Sequence, residues 1–465
     1  MRSPAANADS RLSLWRQVRE YAVPPSMIEA ATARRHVGDW AGACAAARVD
    51  VDLDLRAVTR DHGRELAARL RADLRHLAPD LLRWHLPRIA PDGLLRPGLT
   101  LALASYGPTE HDDAEPVHLV VRTPPAWADA GQRVSLTLWT GSRDEGSQAR
   151  PRPHPDRRYR LDLHRHLWDV RRSDELRSRS GARQPPLEAA TATCPDPSWN
   201  ALREGGYAVH RWAAEAALLL RAEGRTSGGV AVRLGPRRRL LLDIAAAGPG
   251  PRPPSARIAG ASRAGRVAGL PVLPDAATWT APDLELLRHG LIEVHQLHPL
   301  VAAALMPGHR AAGPRPSPDP AAAPRLVACR GARHRIGLVD GVLTPLDHEP
   351  AEIRREELLA ALTGTPLPCL QAIDEAHRRP ECLPDIRARL DHGDVAGALA
   401  TVEALLGPDA LLRDGNLRDE LETAAQRRIT FGLYRAGLTG HTPNPPCRDV
   451  RPKRGRSHPR HAITR

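Results

Sequence analysis

The side chains of this 465-residue chain best suited to chemistry are its six cysteines, at positions 44, 194, 329, 369, 382 and 447, and its 21 histidines. Thiolates and imidazoles at short spacings form the usual ligand set of zinc. Three groupings come nearest: His164 with His166, Cys369 with His377 and Cys382, and Cys329 with His334. None has the C-x-x-C or H-x3–5-H spacing that makes a zinc reading specific. His164, His166, Cys369, His377 and Cys382 therefore stand as weak metal candidates, and no cofactor or metal is expected. His348-Glu349 followed by Glu352 lacks the second histidine of a zincin and has Pro350 in the way, so it is set aside. His295 and His298 flank Leu297 at a helix or turn edge. Asp50, Asp52, Asp54 and Asp61 space like the start of an EF-hand loop, but Leu55 stands where that loop needs glycine and Asp61 replaces the bidentate glutamate. They read instead as acids at a helix N-terminus.

One residue excludes several catalytic classes. The single lysine, Lys453, lies in the basic C-terminal stretch and not after a glycine-rich loop. That removes a Walker A site, a kinase lysine and a Schiff-base lysine in a folded core. GxGxxG after a strand and GxSxG are also absent, so Rossmann and α/β-hydrolase readings fail. The balance leans away from an enzyme. In an unrecognised enzyme class, His295, His298, His334, Asp340 and Glu352 are the groups to examine.

The net charge of +13 points toward anionic partners. Arg157, Arg158, Arg171 and Arg172, with Arg237, Arg238 and Arg239, are the candidate phosphate contacts. Against that reading, aromatic residues make up only 3% of the chain and do not interleave with the arginines as a stacking platform requires. An Arg-only basic complement in an Ala-, Pro- and Gly-rich chain is also what a G+C-rich coding bias produces.

The elements that must position these groups follow from hydrophobic period. Residues 1–95 read as a helical domain and 96–245 as an α+β domain with a mixed or antiparallel sheet, its strands including Leu99–Leu103, His118–Val121 and Val134–Leu138. An Arg- and Pro-rich stretch at about 142–186 reads as an exposed insertion. Residues 246–306 read as a linker and helical segment, 307–324 as a Pro/Ala linker, and 325–440 as a β-hairpin turning at Asp340-Gly341 followed by helical hairpins. Residues 441–465 read as a disordered basic tail. The fold class is therefore α+β. The N-terminal residues lack the apolar core of a signal peptide, and the longest apolar run, around Pro299 to Pro307, falls far short of the roughly 20 residues of a membrane helix. A cytoplasmic protein without a membrane partner is expected.

Residues 33–45, ARRHVGDWAGACA, echo residues 388–400, ARLDHGDVAGALA. Each reads as a helix ending at Gly38 or Gly393, with Asp39 or Asp394 capping the next helix. The segments CRGARHRIGLVDGVLTPLDHEPAEIRREELLAAL, CLQAIDEAHRRPEC and ARLDHGDVAGALATVEALLG resemble a family of uncharacterised proteins of high-G+C actinobacteria. That family has no assigned activity, so the resemblance implies a bacterial cytoplasmic setting and no site residues. Helical hairpins without a chemical motif point to a non-enzymatic interaction or scaffold protein with an unidentified protein partner. A nucleic-acid-associated protein is the second reading and an enzyme of unrecognised class the third.

Overall fold

The computed structural model describes residues 4–107, 116–141, 154–182, 197–235, 238–245, 256–263, 269–308, 325–364, 366–408 and 410–438. The chain is α+β. It divides into two units: of the described residues, 4–129 and 133–308 belong to the first, and 130–132 and 325–438 to the second.

The first unit is built around a four-stranded sheet. Strands β1 (Val49–Asp52), β4 (Thr100–Tyr106), β5 (Val117–Arg122) and β6 (Val134–Trp139) lie in the order β1-β6-β5-β4, with β1 parallel to β6 and the other pairs antiparallel. The two-residue strands β2 (Arg88–Ile89) and β3 (Leu94–Leu95) form a separate ribbon. Leu101, Leu103, Leu119, Val121 and Leu136 from the sheet share one core with Leu70, Leu74, Leu77 and Leu81 of the helical stretch and with Val301 and Leu305. Described residues 4–95 therefore share their core with the sheet. Their apolar stripe and the sheet's apolar face are each other's cover, because neither buries itself alone.

Within that core, several buried charged groups are held by partners. Arg19 donates through Nε to Asp283 Oδ1 at 2.6 Å and through Nη2 to Asp283 Oδ2 at 3.0 Å, while its Nη1 donates to the Trp84 carbonyl at 2.7 Å. Trp84 Nε1 also donates to Asp283, and Asp80 Oδ2 lies 3.0 Å from His298 Nε2. The first helix, Pro4–Tyr21, is thereby tied to residues more than 260 positions away.

Residues 154–182, expected in an exposed insertion, belong to the core. Trp168 and Asp169 are wholly buried, Trp168 Nε1 donates to the Leu161 carbonyl at 3.0 Å, and the Trp168 carbonyl accepts from Ala78 N at 2.8 Å. Arginine density concealed this, because several of the arginines there pair with acids while the apolar residues between them turn inward. A second sheet, β7 (Gly228–Arg233), β8 (Arg238–Ile244) and β9 (Ala256–Arg263), is an antiparallel meander. It packs on helix Trp212–Ala222 through Trp212, Ala216, Leu219 and Leu220. Strand β9 falls where a linker was expected, its short alternation hidden between Gly- and Pro-rich flanks.

The second unit begins with a three-stranded antiparallel sheet, β10 (Arg325–Cys329), β11 (Ala332–Val339) and β12 (Val342–Pro345). Both connections are two residues long with positive φ at each: Arg330-Gly331 (52° and 82°) and Asp340-Gly341 (51° and 77°). That is the type I′ pattern, whose twist matches that of paired strands. Five helices follow, Pro350–Thr363, Pro368–Arg378, Leu383–Asp391, Val395–Leu406 and Asn416–Arg435, with Ile386, Leu390, Ala398, Val402 and Leu406 at their core.

The echoed segments adopt the same local structure, one in each unit. Asp39 accepts from Gly42 N at 2.8 Å and Asp394 from Gly397 N at 3.2 Å, while Arg34 and Arg389 reach the same aspartates at 3.2 and 3.1 Å. A Cβ on Gly42 or Gly397 would lie 2.0 or 2.1 Å from the capping carboxylate, so any other residue at the third position of each helix would have to displace the cap. Gly397→Ala is expected to destabilise the second unit despite alanine's higher helix propensity, since it displaces a cap worth about 1 kcal/mol. In an Asp394→Ala background, where the carboxylate is gone, the same change should stabilise by about 0.5–1 kcal/mol. Thermal denaturation of the four proteins reads this sign reversal, and an equal effect of Gly397→Ala in both backgrounds would contradict it.

Candidate metal centre

Cys329 is the last residue of β10, immediately before the Arg330-Gly331 turn. In the register of the hairpin it faces Ala332, and Val327 faces His334, so the two-residue alternation puts Cys329 and His334 on one face of the sheet. Cys369 is the second residue of helix Pro368–Arg378, which packs on that face and contributes Ile373 one turn later to a core shared with Cys329 and Ile336. His348 arrives from the connection after β12. Pro350, read above as an obstacle, is the first residue of helix Pro350–Thr363, where its fixed φ favours helix and its missing N–H costs nothing. It thereby brings Glu352 within one turn of His348.

These elements gather ligand atoms of Cys329, His348 and Cys369 within 4.8 Å of one another, the one such group of three among the described residues. Cys369 Sγ lies 3.5 Å from His348 Nε2. Two ligands on a tetrahedral zinc, with bonds of about 2.3 Å to sulfur and about 2.0–2.1 Å to nitrogen, sit about 3.6 Å apart. The opposite ring nitrogen, His348 Nδ1, is 3.2 Å from Glu352 Oε2, and the His348 side chain is 3% exposed. A carboxylate accepting from Nδ1–H fixes the tautomer that leaves the Nε2 lone pair facing the thiols. The hydrogen bond from His348 lowers the Glu352 pKa. Arg330 Nη1 braces the same carboxylate at 2.6 Å.

Without a cation Cys369 favours its neutral form. Burial, followed by the neighbouring Cys329, pushes the Cys369 thiol above its ordinary range. A divalent cation reverses that preference by binding the thiolates directly.

Neither a protein-family model, nor a curated protein, nor a solved structure matches the chain. What the centre can do follows from its own geometry.

The other candidates are placed differently. His377 and Cys382 do not join Cys369 in a three-ligand group. His377 is buried on the same helix, and Cys382 packs, half-buried, against the core of the later helices. His164 and His166 do approach, their ring centroids 5.7 Å apart, but His164 is engaged by the Arg160 carbonyl and lies 3.3 Å from Glu215, without a third ligand in reach. Burial alone would raise the Glu215 pKa, yet hydrogen bonds from His164 and Arg179 hold it at about 2. His298 is paired with Asp80, whereas His295 is exposed beside Glu293. Asp54 caps helix Leu55–His76 and Asp50 pairs with Arg133, so those acids have structural partners.

Among the candidate phosphate contacts, Arg158 is bound to Asp275 at 2.6 Å, Arg171 to Asp169 at 2.8 Å and Arg172 to Glu175 at 2.5 Å. Arg157 is exposed, Arg238 and Arg239 lie on β8, and Arg237 falls outside the described residues. Among the described residues no helix is long and apolar enough to cross a membrane.

Sequence reasoning weighed His348 and Glu352 only as a zincin and set them aside, and it did not join Cys329 to Cys369. The available signal was turn chemistry: two type I′ turns fix β11 and Pro350 fixes a helix start, which together place all the groups. Affinity for a divalent metal is expected to rise from about pH 6 to about pH 8, because the incoming cation must displace thiol protons. Without metal the sign is opposite: the stabilisation from a neutral, buried Cys369 is present below the ordinary thiol pKa and lost as pH rises through the elevated one. Cobalt titrations at several pH values check the first statement, and pH-independent affinity would exclude thiolate ligands.

Proposed function

We propose that this chain is a non-enzymatic binding protein whose C-terminal unit folds around a divalent metal of the zinc class and presents aliphatic surface to a protein partner. One observation carries the metal part: two buried thiols and an imidazole converge, and a carboxylate orients the imidazole from behind. Soft thiolates with imidazole select zinc over the oxygen-seeking cations. The partner part is supported by large apolar side chains left outside in the same unit. Leu358 and Leu362, one turn apart on helix Pro350–Thr363, are 68% and 86% exposed, and Val342 on β12 is 57% exposed. Exposed apolar side chains that group together mark interaction sites.

The nucleic-acid reading draws less support, since three of its arginines already serve a carboxylate. Binding to duplex or single-stranded DNA at low salt, falling steeply as salt rises, would restore it.

The purified full-length chain is expected to carry about one zinc per molecule by elemental analysis. Chelation should lower its melting temperature, and Cys369→Ser should abolish metal retention. A metal-free chain whose melting temperature does not respond to added zinc would refute the metal reading. For the partner, a protein captured by the wild type should be lost by the Leu358→Glu, Leu362→Glu double variant with metal content unchanged. Capture that survives the double variant removes this surface from the proposal.

A further inference from the structure

Three protein ligands leave open whether the metal has a fourth position free for water, as catalytic zinc does, or is closed, as structural zinc is. Resting on the metal reading above, we infer that His334 is the fourth ligand, so that the centre is a closed Cys2His2 site holding β10, β11, the connection after β12 and helix Pro368–Arg378 together.

Three observations meet at His334. It lies on the same face of the hairpin as Cys329, five residues on and across a two-residue turn, so the same backbone delivers both. Its ring lies flat against that of His348, with centroids 4.3 Å apart and planes within 13°. Its Nδ1 is buried without a hydrogen-bond partner. A buried polar nitrogen left without a partner is destabilising, and a ligated cation satisfies it.

The surroundings favour closure over an open position. Cys329, Cys369, Ile336 and Ile373 make a shared apolar cluster, and both thiols are at most 1% exposed. The sulfur and nitrogen atoms of Cys329, His348 and Cys369 are already gathered, and His334 stacks directly on one of these ligands from the face that carries Cys329.

The test uses cobalt in the full-length chain, because its visible bands report coordination number. The wild type should give an intense tetrahedral spectrum with thiolate charge transfer, and added azide should leave it unchanged. His334→Ala should bind cobalt more weakly by at least the roughly 10–100-fold that outer partners typically cost. It should also become azide-sensitive, since a position has opened. Glu352→Gln, an orienting residue, should weaken binding while keeping the wild-type band pattern and azide resistance. Azide sensitivity in the wild type would overturn the fourth-ligand assignment without any variant having to fold, as would a His334→Ala spectrum identical to the wild type. A chain that takes up no cobalt would overturn the metal reading itself and the role of His334 with it.

Discussion

A guanidinium taken out of water must find a carboxylate or a ring of carbonyls, and the first unit is arranged around that requirement. Asp283 receives both Arg19 and Trp84, and Asp73 and Asp169 receive Arg165. Arg19 and Trp84 with Asp283, and Arg165 with Asp73, join segments far apart in sequence, so these contacts fix which helices and strands are neighbours while the aliphatic core supplies the driving force. Removing one partner of such a pair leaves a charge stranded in the core, which makes the acids as indispensable to the fold as the leucines. A chain with one lysine meets this requirement through arginine, whose planar fork matches both oxygens of a carboxylate.

The second unit is smaller and meets its needs differently. Its core divides into an aliphatic cluster among the later helices and a smaller one, containing two cysteines, beneath the sheet. A small core gains from a covalent or metal staple. The thiols, the two imidazoles and the carboxylate of Glu352 sit where such a staple joins the sheet to the first two helices.

Much of the architecture could be read from period and turn residues. The alternation at Leu99–Leu103, His118–Val121 and Val134–Leu138 corresponds to three strands of the principal sheet, and Asp340-Gly341 is a tight turn between strands. The paired Gly-Asp signals correspond to matching capped hairpins. Period reading failed where charge and burial coincide. Residues 154–182 are rich in arginine and look solvated, yet Arg165 and Arg171 fold onto Asp169, and Tyr159, Leu161, Leu167, Trp168 and Leu176 are buried. The candidate metal centre was hidden for another reason. Spacing rules describe ligands carried by one or two knuckles, whereas Cys329, His348 and Cys369 come from a strand end, a connection and a helix start. Only the tertiary arrangement makes them neighbours.

The two-residue turns that bracket β11 have a consequence for how the second unit selects its fold. Side chains alternate across a strand, so a slip of one residue in the β10–β11 pairing would send Cys329 or His334 to the opposite face, away from Cys369. A cation that needs both on one side would discriminate against the slipped hairpin with the full strength of its coordination. It would act as a proofreader of strand alignment as well as a staple.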